Sequence, residues 1–446
     1  MAILDPRDLS SRLMAPIDGA SLAAFRVGFG LLMAWEAVRY LGSDRVSEYW
    51  VEPTWHFHYP GFSWLEPIPG VGMHVLWVVL GLLGLLIAAG VGGAVPGLCF
   101  TIGFAYVFLL EPATYLNHLY LVILVSLVLA VSPASRVWTW RRLRGVRGPE
   151  QVPAWGLYAL RGLVAIVYAW AGLAKMNPDW LRAQPLLIWM EGRSDYPVIG
   201  GLLAWDPTAW FMSYAGLGLD LFAAPLLLWR RTRVVAVLLL ASFHLTNALI
   251  FSIGIFPWLM LAADLLFLDP GWPRRFFSLP APPPGAHAPR RPRATLVFLG
   301  AFFLWQIVVP MRHLVYPGRP SWSEEGHWFA WHMKLRTKRG QVRFRVEDLD
   351  SGAERIQAAA PLLSERQARK FKGNPELIRQ LAVRIREEAE ADGRRVAVYA
   401  ESRVSLNGRP RQSLVDPEVD LSRVAWTWAP APWVVPMAHP LPGWDW

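Results

Sequence analysis

The chain has 446 residues, of which 54% are hydrophobic and 17% charged, with 25 tryptophans and a formal net charge of +10. The apolar residues come in long runs, which excludes an ordinary soluble globular protein and points to a polytopic membrane protein. The single cysteine, Cys99, excludes an intrachain disulfide.

Residues 1–20 have no apolar core, and the first long apolar run continues past Leu31 without a cleavage site, so no cleavable signal peptide is expected. Spanning a bilayer takes about 20 mostly apolar residues. Nine stretches qualify as candidates: 22–41, 74–91, 96–110, 116–134, 157–174, 208–228, 234–250, 255–268 and 295–311. The third and eighth are short, so eight or nine transmembrane helices are expected.

The basic residues between these stretches set the orientation. Segment 136–155 carries five arginines, 229–233 carries three and 269–294 carries five. By contrast, 42–73 has one arginine against four acidic residues, and 111–115 has no basic residue. With nine spans the three Arg-rich segments fall on one face, which the positive-inside rule makes cytoplasmic. The amino terminus is then inside, and everything after Met311 lies outside, in a bacterial periplasm or a eukaryotic lumen.

Residues 271–294 read as a Pro-rich, disordered cytoplasmic linker. From about Pro320 the composition becomes that of a soluble domain. "GQVRFRVEDLDSGAERIQ" predicts two strands around a Gly turn. "NPELIRQLAVRIREEAEADG" predicts a helix with Asn374 as N-cap, Pro375 at its first position and Gly393 past its end. "VAVYAESRVSLNGRPRQSLV" predicts a hairpin with an Asn407-Gly408 turn. The expected architecture is an α-helical polytopic membrane domain, 1–315, with a C-terminal extracytoplasmic α+β, β-rich domain, 316–446.

Ionisable residues inside spans are costly and are functional candidates by default. Arg26, Glu36, Arg161, Asp220 and Asp264 qualify; the alternative is pairing between helices, such as Arg26 or Arg161 with Asp220. "YLNHLYLVILVSLVLAV" places Asn117 and His118 at the outer start of the fourth span, and "AGLAKMNPDW" places Lys175 at the outer end of the fifth. Consecutive spans with a short connection are usually antiparallel neighbours, so these groups are expected at one depth. Taken singly, Lys175 reads equally as an interface lysine snorkelling to water, and His118 as a satisfied helix-end histidine. An apolar pocket disfavours the charged form of an amine, and a neutral amine can act as a general base, here toward a lipid-soluble phenol or hydroquinone.

Six segments in order carry a resemblance: "FRVGFGLLM", "LNHLYL", "LRGLVAIVYAWAGLAKMNPDW", "FHLTNALIFSIGIFPWLMLA", "FAWHMKLRTKRG" and "VDPEVDLSRVAWTWAPAPWVVP". The chain resembles the vitamin K-dependent gamma-glutamyl carboxylase family and the wider bacterial group of horizontally transferred transmembrane domains. The resemblance implies that reduced vitamin K, phylloquinol or menaquinol, is deprotonated by Lys175 and reacts with O2. The resulting strong base removes a γ-hydrogen from a peptide glutamate, and the carbanion captures CO2. No side chain is basic enough for that carbon acid, so a cofactor carries the step. By position Lys175 falls on the family's base and His118 on its active-site histidine, while Asn117 would orient a reacting group. His244, Asn247, Phe251, Ser252 and Gly254 fall in a segment read as a pocket wall for the cofactor, or as a tight turn between spans. Trp331, Arg336 and Lys338 would reach a glutamate carboxylate, Arg336 in bidentate fashion; the alternative is a solvated basic strand face.

The sequence departs from the family at His332, an acidic position, and at Arg336 and Lys338, where the animal enzyme has histidine and arginine. The animal enzyme's disulfide cysteines are missing, and its propeptide recognition is not expected to carry over. A bacterial inner-membrane homologue is implied, with a Glu-containing peptide as substrate and a quinone reductase to recycle the cofactor. Two rival readings are a quinol-dependent oxidase or epoxidase acting on another substrate, and a non-enzymatic transporter or scaffold. No pair of Gly/Pro-broken helices at matching positions favours a transporter. The sequence offers no metal-ligand spacing, and the basic residues track topology rather than a nucleic-acid surface.

Overall fold

The computed structural model describes residues 6–146, 150–251, 253–282 and 292–441. Nine apolar helices form the membrane domain: α1 (Ala20–Gly42), α2 (Gly72–Ala89), α3 (Val95–Leu109), α4 (Asn117–Val131), α5 (Trp155–Lys175), α6 (Asp206–Leu228), α7 (Arg233–Ile250), α8 (Phe256–Asp264) and α9 (Pro292–Met311). Six of the described helices are long and apolar enough to cross a membrane; Val95–Leu109, Asn117–Val131 and Phe256–Phe267 are shorter. Each of the nine expected stretches holds one of these helices, and the shorter ones are the third and eighth, as expected, together with the fourth. Large apolar side chains such as Leu31, Val79, Leu82, Leu245 and Leu304 remain exposed, as lipid-facing positions do.

Without a hydrophobic drive between helices in lipid, close backbone approach matters most. A Cβ at Gly30 of α1 would stand 2.4 Å from the Gly84 carbonyl oxygen of α2. A Cβ at Gly172 of α5 would meet the Leu221 amide of α6 at 2.8 Å, so this glycine lets the two helices close together around the groups that follow it.

The Arg-rich segments meet on one face. Strand β1 (Pro16–Asp18) pairs antiparallel with β2 (Gln151–Pro153), and Arg274 bridges Asp18 at 2.7 Å and Glu150 at 3.3 Å. Arg274 sits in a short helix, Trp272–Phe276, so the start of the expected disordered linker is ordered; 283–291 lie outside the described residues. The buried arginines do not pair with Asp220. Arg26 donates to the Trp138 carbonyl at 3.0 Å, and Arg161 to those of Leu266 and Leu268 at 2.7 and 2.8 Å. Each guanidinium serves carbonyls left open at a helix end or turn.

The C-terminal domain covers the opposite face. Its antiparallel sheet has the order β4-β3-β5, with β3 (Lys338–Asp348), β4 (Glu354–Ala358) and β5 (Val396–Leu406). Helices α10 (Glu365–Phe371) and α11 (Pro375–Ala391) pack beside it. In α11 Asn374 caps the Glu376 and Leu377 amides, and Leu377, Ile378, Leu381 and Ile385 face the core, as the periodicity predicts. The expected hairpin is shorter than read: the chain turns at Asn407-Gly408, but the returning arm pairs with β5 by backbone only at the Val404–Gln412 bridge, its Leu414 and Val415 amides going to the Ser402 hydroxyl, and the strand along β5 is β3. The domain's core takes in Phe57 and Ala113 from loops of the membrane domain. Gln367 donates to Glu111 at 2.8 Å, and Gln380 exchanges hydrogen bonds with the His58 backbone.

Candidate active site

Where the two domains meet, a cavity of about 910 Å³ opens, within the size range of small-molecule sites. Leu186, Trp189, Met212, Phe243, Phe251 and Phe256 give it an apolar wall. Asn117, His118, Lys175, Asp220, His244 and Asn247 also line it, so α4, α5, α6 and α7 bring together the residues expected at one depth.

Lys175 ends α5, yet its side chain does not reach out to water. It is 6% exposed, its ammonium donates to Asp220 of α6, and it lies 5.1 Å from the Trp180 ring. The lone lysine in an apolar pocket is therefore corrected to a buried pair. Two buried groups that share protons can exchange one without leaving a net charge behind. His118 is also buried, and its imidazole has no protein hydrogen-bond partner among the described residues. The ring faces the cavity, 5.9 Å from the Phe256 ring.

Asn117 is corrected from an orienter of a reacting group to a brace. Its Oδ1 accepts from the Tyr115 hydroxyl at 2.7 Å, and its Nδ2 donates to the His332 carbonyl at 3.1 Å. The Tyr115 oxygen in turn accepts the Phe329 amide at 2.7 Å. This chain of bonds holds the 324–334 loop, in which Glu324, Phe329, Trp331 and Lys334 all have positive φ. Such backbone clusters at ligand clamps because surrounding contacts must enforce it.

His244 bonds the Tyr168 hydroxyl at 2.7 Å, and Tyr168 donates to Asp264 at 3.0 Å, a buried chain beneath the wall. Asn247 and Phe251 face the cavity, and Ser252 lies outside the described residues. Gly254 has φ +62, and a Cβ there would approach Arg39 at 3.5 Å and His118 at 3.9 Å. The segment is both turn and wall.

The residues expected to hold a carboxylate are placed differently. Trp331 is fully buried against Tyr120, with ring centroids 5.1 Å apart, and does not line the cavity. Arg336 and Lys338 do line it, but neither is open and neither sits on a solvated strand face. Glu324 takes Arg336 at 2.5 Å and Lys338 at 2.6 Å. Lys338 spends its other two protons on the Trp322 and Gly373 carbonyls, at 2.5 and 2.7 Å. Burial brings the Lys338 amine down to about 8, with Glu324 opposing the shift. Burial, helped by His313 and Arg336, lowers His332 to about 3, so that ring is neutral.

Three groups were not legible as parts of the site. Asp220 was visible only as an intramembrane acid, Tyr168 looked like span filler, and Lys334 sat between two better candidates. Among the described residues no three His, Cys, Asp or Glu side chains cluster as a metal site.

The family model for the HTTM domain matches residues 14–272. The family model for the vitamin K-dependent gamma-carboxylase lumenal domain matches residues 291–440. No solved structure matches the chain.

Proposed function

We propose, on the premise that this chain belongs to the HTTM-domain, vitamin K-dependent gamma-carboxylase family, that it γ-carboxylates glutamate side chains of peptides. The observation that carries the reading is the Lys175–Asp220 pair facing the same aromatic-walled cavity as His118. These residues fit a hydroquinone: flat rings of Trp189, Phe251 and Phe256 suit a bicyclic aromatic body, and polar groups converge at one end. When bound, the reduced vitamin K supplies, with O2, the base strength that no side chain has.

The protein's own part is proton handling and placement. Asp220 holds a proton from the Lys175 ammonium, leaving Nζ free to take one from a ligand hydroxyl. His118, open to the cavity, donates to or accepts from an oxygen there. Trp180 and the aromatic wall keep water from the amine and so sharpen these charge interactions. The natural quinol is menaquinol or phylloquinol, recycled by a quinone reductase, and CO2 is the co-substrate. The site opens to the extracytoplasmic side, the periplasm of a bacterium.

A rival reading, oxidation or epoxidation of the quinol coupled to another substrate, has one observation in its favour: Arg336 and Lys338 are already occupied by Glu324. Purified protein with reduced vitamin K, carbon-14 bicarbonate and a Glu-containing peptide separates the two. Incorporation that vanishes in Lys175→Ala is expected. Epoxide without incorporation favours the rival, and incorporation that persists in Lys175→Ala removes Lys175 as the base.

A further inference from the structure

The cavity lining holds nine Lys and Arg side chains against two acids, Asp220 and Glu324. Those two acids are already committed. Asp220 pairs with Lys175, and Glu324 is shared between Arg336 and Lys338. Most of the remaining cations stand on α10 and its flanks at the outer mouth. Lys334 differs, because it borders the inner, apolar part of the cavity.

Its ammonium lies 5.3 Å from the centroids of both the Trp189 and the Phe251 ring, and close enough to His118 for their charges to interact. Arg193 also lies over the Phe251 ring, at 4.9 Å, its guanidinium engaged with the Ile250 and Trp189 carbonyls. Among the described residues no carboxylate pairs with Lys334, and no hydrogen-bond acceptor meets its three donors. The side chain is nonetheless exposed, and the surface it shows is that of the cavity. Desolvation by the cavity walls, together with Arg193, lowers the Lys334 amine from its ordinary value. The backbone presenting it has φ +54 and is held by the Asn117–Tyr115 brace and by the buried Trp331. A strained, braced loop that aims one uncompensated ammonium into an aromatic-walled cavity is built to meet an anion.

We propose that Lys334 seats the side-chain carboxylate of the acceptor glutamate at the inner edge of the cavity. It thereby takes the role that the resemblance implied for Trp331, Arg336 and Lys338. The owner of the carboxylate rests on the carboxylase reading; the presence of a carboxylate site at Lys334 does not. An ammonium with free donors forms charge-assisted hydrogen bonds to a carboxylate, and two aromatic faces restrict where it can point. Lys338 cannot substitute for it, having three protons already placed.

The test uses the full-length protein in nanodiscs, as wild type, Lys334→Met and Lys334→Arg. Binding of a fluorescent Glu-containing peptide is compared with the same peptide carrying Gln, and KM is measured for peptide and for reduced vitamin K. Wild type is expected to prefer Glu, and Lys334→Met to lose the preference and to raise peptide KM roughly ten- to a hundredfold, the range for a charged hydrogen bond. KM for reduced vitamin K stays put, and Lys334→Arg keeps part of the preference. Equal binding of both peptides by wild type, or a preference that survives in Lys334→Met, overturns the proposal. So does a shift confined to KM for reduced vitamin K, which would assign Lys334 to the cofactor. A Lys334-dependent Glu preference without carboxylation keeps this site and sinks the carboxylase reading; carboxylation with unchanged peptide KM in Lys334→Met does the reverse.

Discussion

Replacing Asp179 should loosen the joint between the two domains. The residue follows Lys175 by one short turn and is 4% exposed. Its carboxylate accepts from Arg409 at 2.6 and 2.7 Å, from Asn407 at 2.9 Å and from Arg319 at 3.0 Å. Arg319 is half-exposed and contributes little; Arg409 is as buried as Asp179 and decides the magnitude. Asp179→Ala leaves that guanidinium uncompensated, at a cost of about 3–5 kcal/mol. The Leu406 and His439 carbonyls, which Arg409 also meets, favour the lower end. The double substitution Asp179→Leu with Arg409→Met should cost clearly less than the sum of the singles, because no stranded charge remains. Burial alone would raise the Asp179 carboxyl, but the hydrogen bonds and charge of Arg409 outweigh it and hold the group below its ordinary value. Its stabilising contribution is therefore complete above the ordinary carboxylate range and is lost as pH falls through the lower folded value. Equilibrium unfolding in mixed micelles, followed by tryptophan emission at several pH values, reads all of this. Single substitutions costing under about 1 kcal/mol, or strictly additive ones, would refute the reasoning.

Asp220→Asn removes the group that holds the Lys175 proton, so quinol oxidation should fall by about 10²–10⁴, the range for general-base catalysis; near-normal turnover in a stopped-flow assay speaks against the pair. Trp331→Ala empties a fully buried site and should destabilise by about 3–5 kcal/mol, while Trp331→Phe should leave peptide KM unchanged if the ring only fills space. Burial lowers Lys338 to about 8, and desolvation inside the cavity mouth with Arg366 and Arg336 nearby brings Lys370, although its side chain is exposed, to about the same value. Acidic-peptide affinity should therefore weaken as pH rises through that value, and a flat binding profile from pH 7 to 9 by fluorescence polarisation counts against a charged mouth. In a Cys99→Ser background, an impermeant thiol reagent should label Ser351→Cys but not Ser135→Cys in intact cells; the reverse pattern inverts the orientation.

The helices were legible because lipid demands continuous apolar runs, and the α11 boundaries because Asn374, Pro375 and Gly393 are local signals. The site was legible by type and depth, as Lys175 and His118 show, but not by partner. Lys175 and Asp220 are 45 residues apart, and their register is fixed by packing of α5 on α6, with Gly172 against Leu221 its closest approach. In the 324–334 loop, four non-Gly residues of positive φ defeat any periodic assignment. Trp331, expected to reach a carboxylate, therefore turns inward, and Lys334 turns toward the cavity. The second arm of the hairpin was misread for a related reason: an Asn-Gly turn fixes where the chain reverses, not how long the strands stay paired.

Phe57 and Ala113 belong by sequence to the loops of the membrane domain and by packing to the core of the C-terminal domain. A boundary drawn between the two family matches thus cuts the chain without cutting the hydrophobic interior. A chimera that joins this membrane half to a relative's outer half would bring knobs without their holes, at a cost set by lost volume rather than by lost hydrogen bonds. Exchange of halves between relatives should succeed only when residues around 57 and 113 travel with the outer half.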